Sequence, residues 1–364
     1  MNNLGSRYAE VGRWQDAVAP TEEAVETFRM LASTNAAFLP DLAGALNNLG
    51  SRYAEVGRWQ DAVAPTEEAV ETYRMLASTN AAFLPGLAGA LNSLGSRYAT
   101  VGRRQDAVAP AEEAVELRRT LADANDAALP NLAMALNNLG GHYAEVGRRQ
   151  DAVAPTEEAV ETYRMLADTN AAFLPNLAGA LNNLGGHYAG VGRRQDAVAP
   201  TEEAVETYRM LADTNAAFLP NLAGALNSVG IRYAGVGRRQ DAVAPVEAAV
   251  ETYRMLAGTN AAFLPNLAGA LNNLGSHYAG VGRRQDAVAP TKEAVHTFRM
   301  LAGTNAAFLP NLAGALNNLG IRYAEVGRRQ DAVAPTEEAV DFWRTLADTN
   351  AAFLPDLAGA LNSL

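Results

Sequence analysis

The side chains best equipped for chemistry are amides, and most come in pairs. Asn47 and Asn48, Asn137 and Asn138, Asn182 and Asn183, Asn272 and Asn273, and Asn317 and Asn318 stand at multiples of 45 residues from one another. Asn92 and Asn227 keep the same register but are followed by Ser93 and Ser228. An amide carries two N–H donors and a carbonyl acceptor, so it can pair with either polar group of a peptide backbone. A row of amides could hold an extended peptide whatever its side chains. It could equally bond neighbouring helices and stiffen the protein. Five residues after each Asn47-type position comes a cation or a titratable group: Arg52, Arg97, His142, His187, Arg232, His277 and Arg322. These positions and the asparagines are the candidate peptide-binding residues.

Other chemistry lacks its parts. The chain has no cysteine, which rules out disulfides, thiolate catalysis and cysteine metal sites. Adjacent copies could bring His142 and His187 together, but no third ligand accompanies them, so no metal is expected. No serine has a plausible His and Asp arrangement, and no glycine loop follows a strand to cradle phosphate. No cofactor and no enzyme activity are expected. A net charge of −11 argues against nucleic acid as a general partner. No window approaches 18 apolar residues, so no membrane helix is expected. The N-terminal stretch has no signal-type apolar segment, and the expected compartment is the cytoplasm.

The elements that must position the amides repeat with them. Gly5, Gly50, Gly95, Gly140, Gly185, Gly230, Gly275 and Gly320 begin eight copies of 45 residues. No linker or composition break interrupts them, which predicts one elongated domain over 1–364. All 16 prolines fall at two places per copy. Pro40 and its equivalents suit a first helical turn, predicting a helix A over about 40–56 that Gly57 breaks. Helix B follows over about 59–79, with Asn80 as its stop. Pro65 falls inside it. Interior proline costs about 3 kcal/mol, so either helix B bends near its start or it begins at Pro65.

On a wheel of 100° per residue, Leu46, Leu49, Gly50 and Tyr53 share one arc of helix A. Gly44, Asn47, Asn48, Ser51, Ala54 and Glu55 share the opposite arc, with Arg52 at its edge. Glu67, Glu68, Glu71 and Arg74 on helix B form a solvated outer face with local charge pairing. Position 44 is glycine in every copy but one, Met134, which points to a close backbone approach by a ligand or by the next helix. The position of Ser51 also varies, to Gly141, Gly186, Ile231 and Ile321. That is either tuning along the row or drift at exposed sites.

These residues resemble the tetratricopeptide repeat family. Leu46 stands for the usual Trp, followed by Leu49, Gly50 and Tyr53, then Ala62 and Ala69 in helix B. Thr66 departs from the family's aromatic, and the closing proline, Pro85, falls eleven residues late. Eleven residues make about three helical turns, which keeps the buried face in register. The pattern is also similar to the longer repeats of kinesin light chains and of bacterial regulatory proteins. The resemblance implies an all-α, right-handed superhelical solenoid of eight helix-turn-helix repeats. It implies helix A on the concave wall and an asparagine row that binds peptide or protein segments; it does not imply motor function. A second expectation comes from the chain ends. "LNSL" at 361–364 and "MNNL" at 1–4 both lie partway along a helix A, leaving faces that could stack head to tail into rings or filaments. The alternatives are a monomer with frayed ends and a piece of a longer regulatory protein.

Overall fold

A computed structural model describes residues 3–363. Met1, Asn2 and Leu364, which enter the end-to-end expectation, lie outside the described residues. The described chain is all-helical: seventeen α-helices alternate as A and B, and eight short 3-10 turns join each B to the next A. The chain falls into two compact units, Met1–His187 and Tyr188–Leu364.

Helix A of the second copy runs Leu39–Glu55 with proline in its first turn. It ends where Gly57 turns left-handed at φ +79°. That turn lets the Gly57 N–H donate to Ala54 O at 3.1 Å and the Arg58 N–H to Tyr53 O at 2.8 Å, closing the helix on its own carbonyls. The Arg58 guanidinium then lies over the Tyr53 ring at 4.1 Å, and the pair recurs as Arg103 over Tyr98 and Arg283 over Tyr278.

Helix B has two lengths. It spans 21 residues in Trp14–Thr34, Arg104–Ala124, Arg284–Thr304 and Arg329–Thr349, with proline inside. It spans 17 residues in Val63–Thr79, Val153–Thr169, Val198–Thr214 and Val243–Thr259, where proline is the third residue. Both kinds carry the same proline, which weakens the first turn without deciding its assignment. Pro65 has no N–H to donate and its ring crowds the preceding turn, so that turn is loose: Val63 N–H reaches Gln60 O at 3.3 Å. Asn80 stops helix B as expected. Its backbone is extended, its N–H donates to Leu76 O, and its side chain accepts from the Ala82 N–H. That acceptor launches the 3-10 turn Ala81–Phe83, which the repeat pattern did not announce.

The core runs across copies. Val25, Leu42, Leu46, Leu49, Val70, Leu87, Leu91 and Leu94 form one buried cluster, so a single copy could not cover its apolar face. Gly50 marks the closest contact of A with B. A Cβ there would lie 2.2 Å from Thr66 Oγ1 and 3.0 Å from Ala62 O. Thr66 is fully buried and returns its hydroxyl to Ala62 O at 2.8 Å, so the small threonine fits where an aromatic ring would collide with helix A. Within each unit, successive A helices touch directly, as Leu39–Glu55 with Leu84–Thr100 and Leu219–Gly235 with Leu264–Gly280.

Candidate functional site

The touching A helices bring the asparagines together. Asn138 Nδ2 donates to Asn92 Oδ1 at 3.1 Å, and Asn183 Nδ2 to Asn137 Oδ1 at 3.2 Å. In the second unit Asn273 bonds Asn227 and Asn318 bonds Asn272, both at 3.1 Å. Each bond spans 46 residues: the second amide of one copy reaches the first amide of the copy before. One rung uses one donor and one acceptor. The Asn92 amide nitrogen and the Asn138 carbonyl stay partly exposed and are not spent on the rung.

Where serine replaces the second amide, the rung is missing. The residue 46 beyond Asn47 is Ser93, whose hydroxyl turns back to Gly89 O at 3.1 Å, and Asn47 Oδ1 is left buried without a donor. The residue 46 beyond Asn317 is Ser363, which turns back to Gly359 O, and Asn317 Oδ1 is unpartnered too. Asn182 Oδ1 is a third such acceptor. Asn48 is half-buried beside Asn47.

The arginine and histidine position does not lie at an open edge. Its side chains are half-buried or buried, and Arg97, His142 and His187 reach back over the preceding A helix. His142 is only 8 % exposed, and its Nε2 lies 3.4 Å from where a Cβ on Gly95 would be. His187 Nε2 lies 3.5 Å from the same point on Gly140. Arg97 Nη2 donates to Ser51 Oγ at 3.3 Å. Arg52 and Arg322 instead pair with Glu55 and Glu325 one turn on in their own helices. Burial pushes His142, His187 and His277 below the usual histidine range, and Arg97 and Arg232 below the usual guanidinium range. Ala54, expected on the open arc, is buried. The wheel gives a direction relative to one helix; it does not show the neighbour that leans over it.

The outer face also differs from expectation. Its charges pair between copies: Arg29 with Glu68 at 2.8 Å, Arg74 with Glu113 at 2.6 Å, and Arg254 with Glu293 at 2.9 Å. Glu67 accepts from the Tyr98 hydroxyl at 2.6 Å, tying helix B to the next helix A. The equivalent Tyr143 is pushed up to about 12 by burial and by its bond to Glu112. Among the described residues, no three His, Cys, Asp or Glu converge to hold a metal ion, and no helix is long and apolar enough to cross a membrane.

Paired A and B helices, stacked through a shared core with amides between the A helices, define a helical repeat array. The tetratricopeptide repeat profile matches residues 1–35, 42–80, 87–127, 132–170, 222–260 and 312–350. The chain belongs to the tetratricopeptide repeat family. No curated protein matches it. Among solved structures it is similar to BtubC (BKLC) from P. vanneervenii, at 21 % identity over 67 % of this chain and 92 % of that one, TM-score 0.54. It is similar to aspartyl phosphate phosphatase F from Bacillus subtilis, at 13 % identity over 86 % and 73 %, TM-score 0.59. It is also similar to a Rap protein complexed with Competence and Sporulation Factor, at 14 % identity over 96 % and 98 %, TM-score 0.52. At these identities the likenesses show the fold alone.

Proposed function

We propose that the chain is a protein-interaction scaffold that holds an extended peptide segment against its A helices. The observation that carries this reading is the amide row. Every intact rung leaves an N–H donor and a carbonyl acceptor unspent, which complements a peptide backbone and is indifferent to its side chains. Membership of the tetratricopeptide repeat family supports the same reading, as does the fold shared with a Rap protein complexed with Competence and Sporulation Factor. The half-buried Arg97 and the buried His142 then act by fixing the spacing of the A helices more than by touching the ligand. The test is the triple change Asn138→Ala, Asn183→Ala and Asn273→Ala, with folding checked by circular dichroism because each change also removes a rung. A peptide selected on the native protein from a random library should lose binding. Unchanged affinity in the folded triple variant would overturn the amide reading.

A further inference from the structure

Arginine recurs at the position of Arg52, and all but one of these side chains have a partner. Arg7, Arg52 and Arg322 pair with Glu10, Glu55 and Glu325 one turn on, and Arg97 bonds Ser51. Arg232 has no side-chain partner among the described residues, and its Nε is buried without an acceptor. The acid that would answer it is missing, because Gly235 stands at the position of Glu55. Gly190 and Gly280 hold that position in the copies on either side, so three successive copies lack the carboxylate. Arg97 also feels the charge of Glu55 in the copy before it. The matching residue for Arg232 is Gly190. Burial therefore pushes Arg232 below the usual guanidinium range with no acid opposing the shift.

The space left by the missing carboxylate is open, and further cations border it. A cavity of about 530 Å³ in the second unit has Arg194, Ile231, Arg232, Gly235 and Arg239 in its wall. Arg194 follows helix Leu174–Gly190 and Arg239 follows helix Leu219–Gly235, each in the link to the next helix B. Both are exposed, and neither has an ion pair among the described residues. The acids of these links are already spent: Asp196 pairs with Arg193 and Asp241 with Arg238, each at 2.7 Å. A Cβ on Gly235 would meet nothing within 4 Å, and one on Gly280 would meet only the Arg239 stem, at 3.9 Å. Three positive charges thus border one opening. The C-terminal end of helix Leu219–Gly235 sets against them only about half a negative charge.

A buried guanidinium without a counter-ion is strongly disfavoured, and an anion from outside would supply one. A carboxylate brings a single charge and two oxygens. A phosphate monoester brings a charge of about −1.5 to −2 and three strong acceptor oxygens, which suits three guanidinia better. Ile231, exposed on the same wall, offers an apolar surface to the carbon atoms of an ester. We propose that this cavity is a phosphate-binding site, taking a phosphate dianion either free or as a monoester on a ligand. It lies where helix A turns into helix B, makes no use of the asparagine row, and stands apart from the scaffold reading.

Calorimetric titration of the full chain at constant ionic strength tests it. The probes are inorganic phosphate, an end-blocked Ala-phosphoserine-Ala peptide, the same peptide without phosphate, and acetate. The proteins are native, Arg194→Gln and Gly235→Glu. The carboxylate added at position 235 should pair with Arg232 as Glu325 pairs with Arg322, so this variant should melt higher than native protein and bind phosphate at least about tenfold more weakly. Arg194→Gln changes an exposed side chain, leaves folding intact and should also weaken binding, which keeps the test valid if the first variant misfolds. Tighter binding of the phosphopeptide than of inorganic phosphate would mark the monoester as the ligand, and equal binding would mark the free ion. Acetate bound as tightly as phosphate would overturn the choice of anion. Failure of both phosphate probes to bind native protein, or equal binding by native protein and both variants, would overturn the site.

Discussion

At the residue scale, two adjacent glycines separate packing from propensity. Gly140 faces Thr156, with a virtual Cβ 2.1 Å from its hydroxyl and 3.0 Å from Ala152 O; Gly141 faces nothing within 4 Å. Gly140→Ala should destabilise by about 1–3 kcal/mol, since the hydroxyl is tied to a carbonyl and the backbone cannot retreat. Gly141→Ala should stabilise by up to about 1 kcal/mol, the ordinary gain of alanine in a helix. Urea midpoints of the two variants check both signs. The small residues at these positions were legible from sequence, and so were the helix-breaking glycines, because each reports a local backbone need. The burial of His142 was not, because the helix that covers it comes near only in space.

At the element scale, the rungs decide how firmly one A helix holds the next. Ser93→Asn should restore the missing donor to Asn47 Oδ1 and stabilise by about 1 kcal/mol, because satisfying a buried acceptor recovers its desolvation cost. Thermal melts of the variant check this; an unchanged or lowered midpoint would mean that the amide cannot reach across. The helix pattern was readable from Pro40, Gly57 and Asn80, each of which acts on its own few neighbours. Two features were not. The length of helix B varies among copies with the same proline, because the loose turn before it lies near the limit of hydrogen bonding. The outer-face pairs span 39 residues, so reasoning about pairs three or four apart on one helix could not find them.

At the scale of the whole molecule, three histidines spread over both units couple folding to pH. His142, His187 and His277 are held below their ordinary range by burial, opposed at His142 by Glu145. The folded chain thus binds fewer protons than the unfolded one once pH drops to about 6.5. Stability should be level above that value and fall as pH decreases through it. Replacing all three by glutamine should flatten the dependence between about pH 7 and pH 5 in denaturant titrations, and an unaltered slope would show that the histidines are not its source.

The offsets have a consequence for how such a chain changes over generations. Rungs join residues 46 apart, outer ion pairs 39 apart and tyrosine–glutamate bonds 31 apart. Every partner is named by its distance along the chain, not by its address. Duplication or loss of one whole copy therefore leaves most surviving residues with a partner of the same kind. Copy number can drift in inheritance with few bonds having to be reinvented, while a lone substitution such as Met134 travels with the copy that bears it.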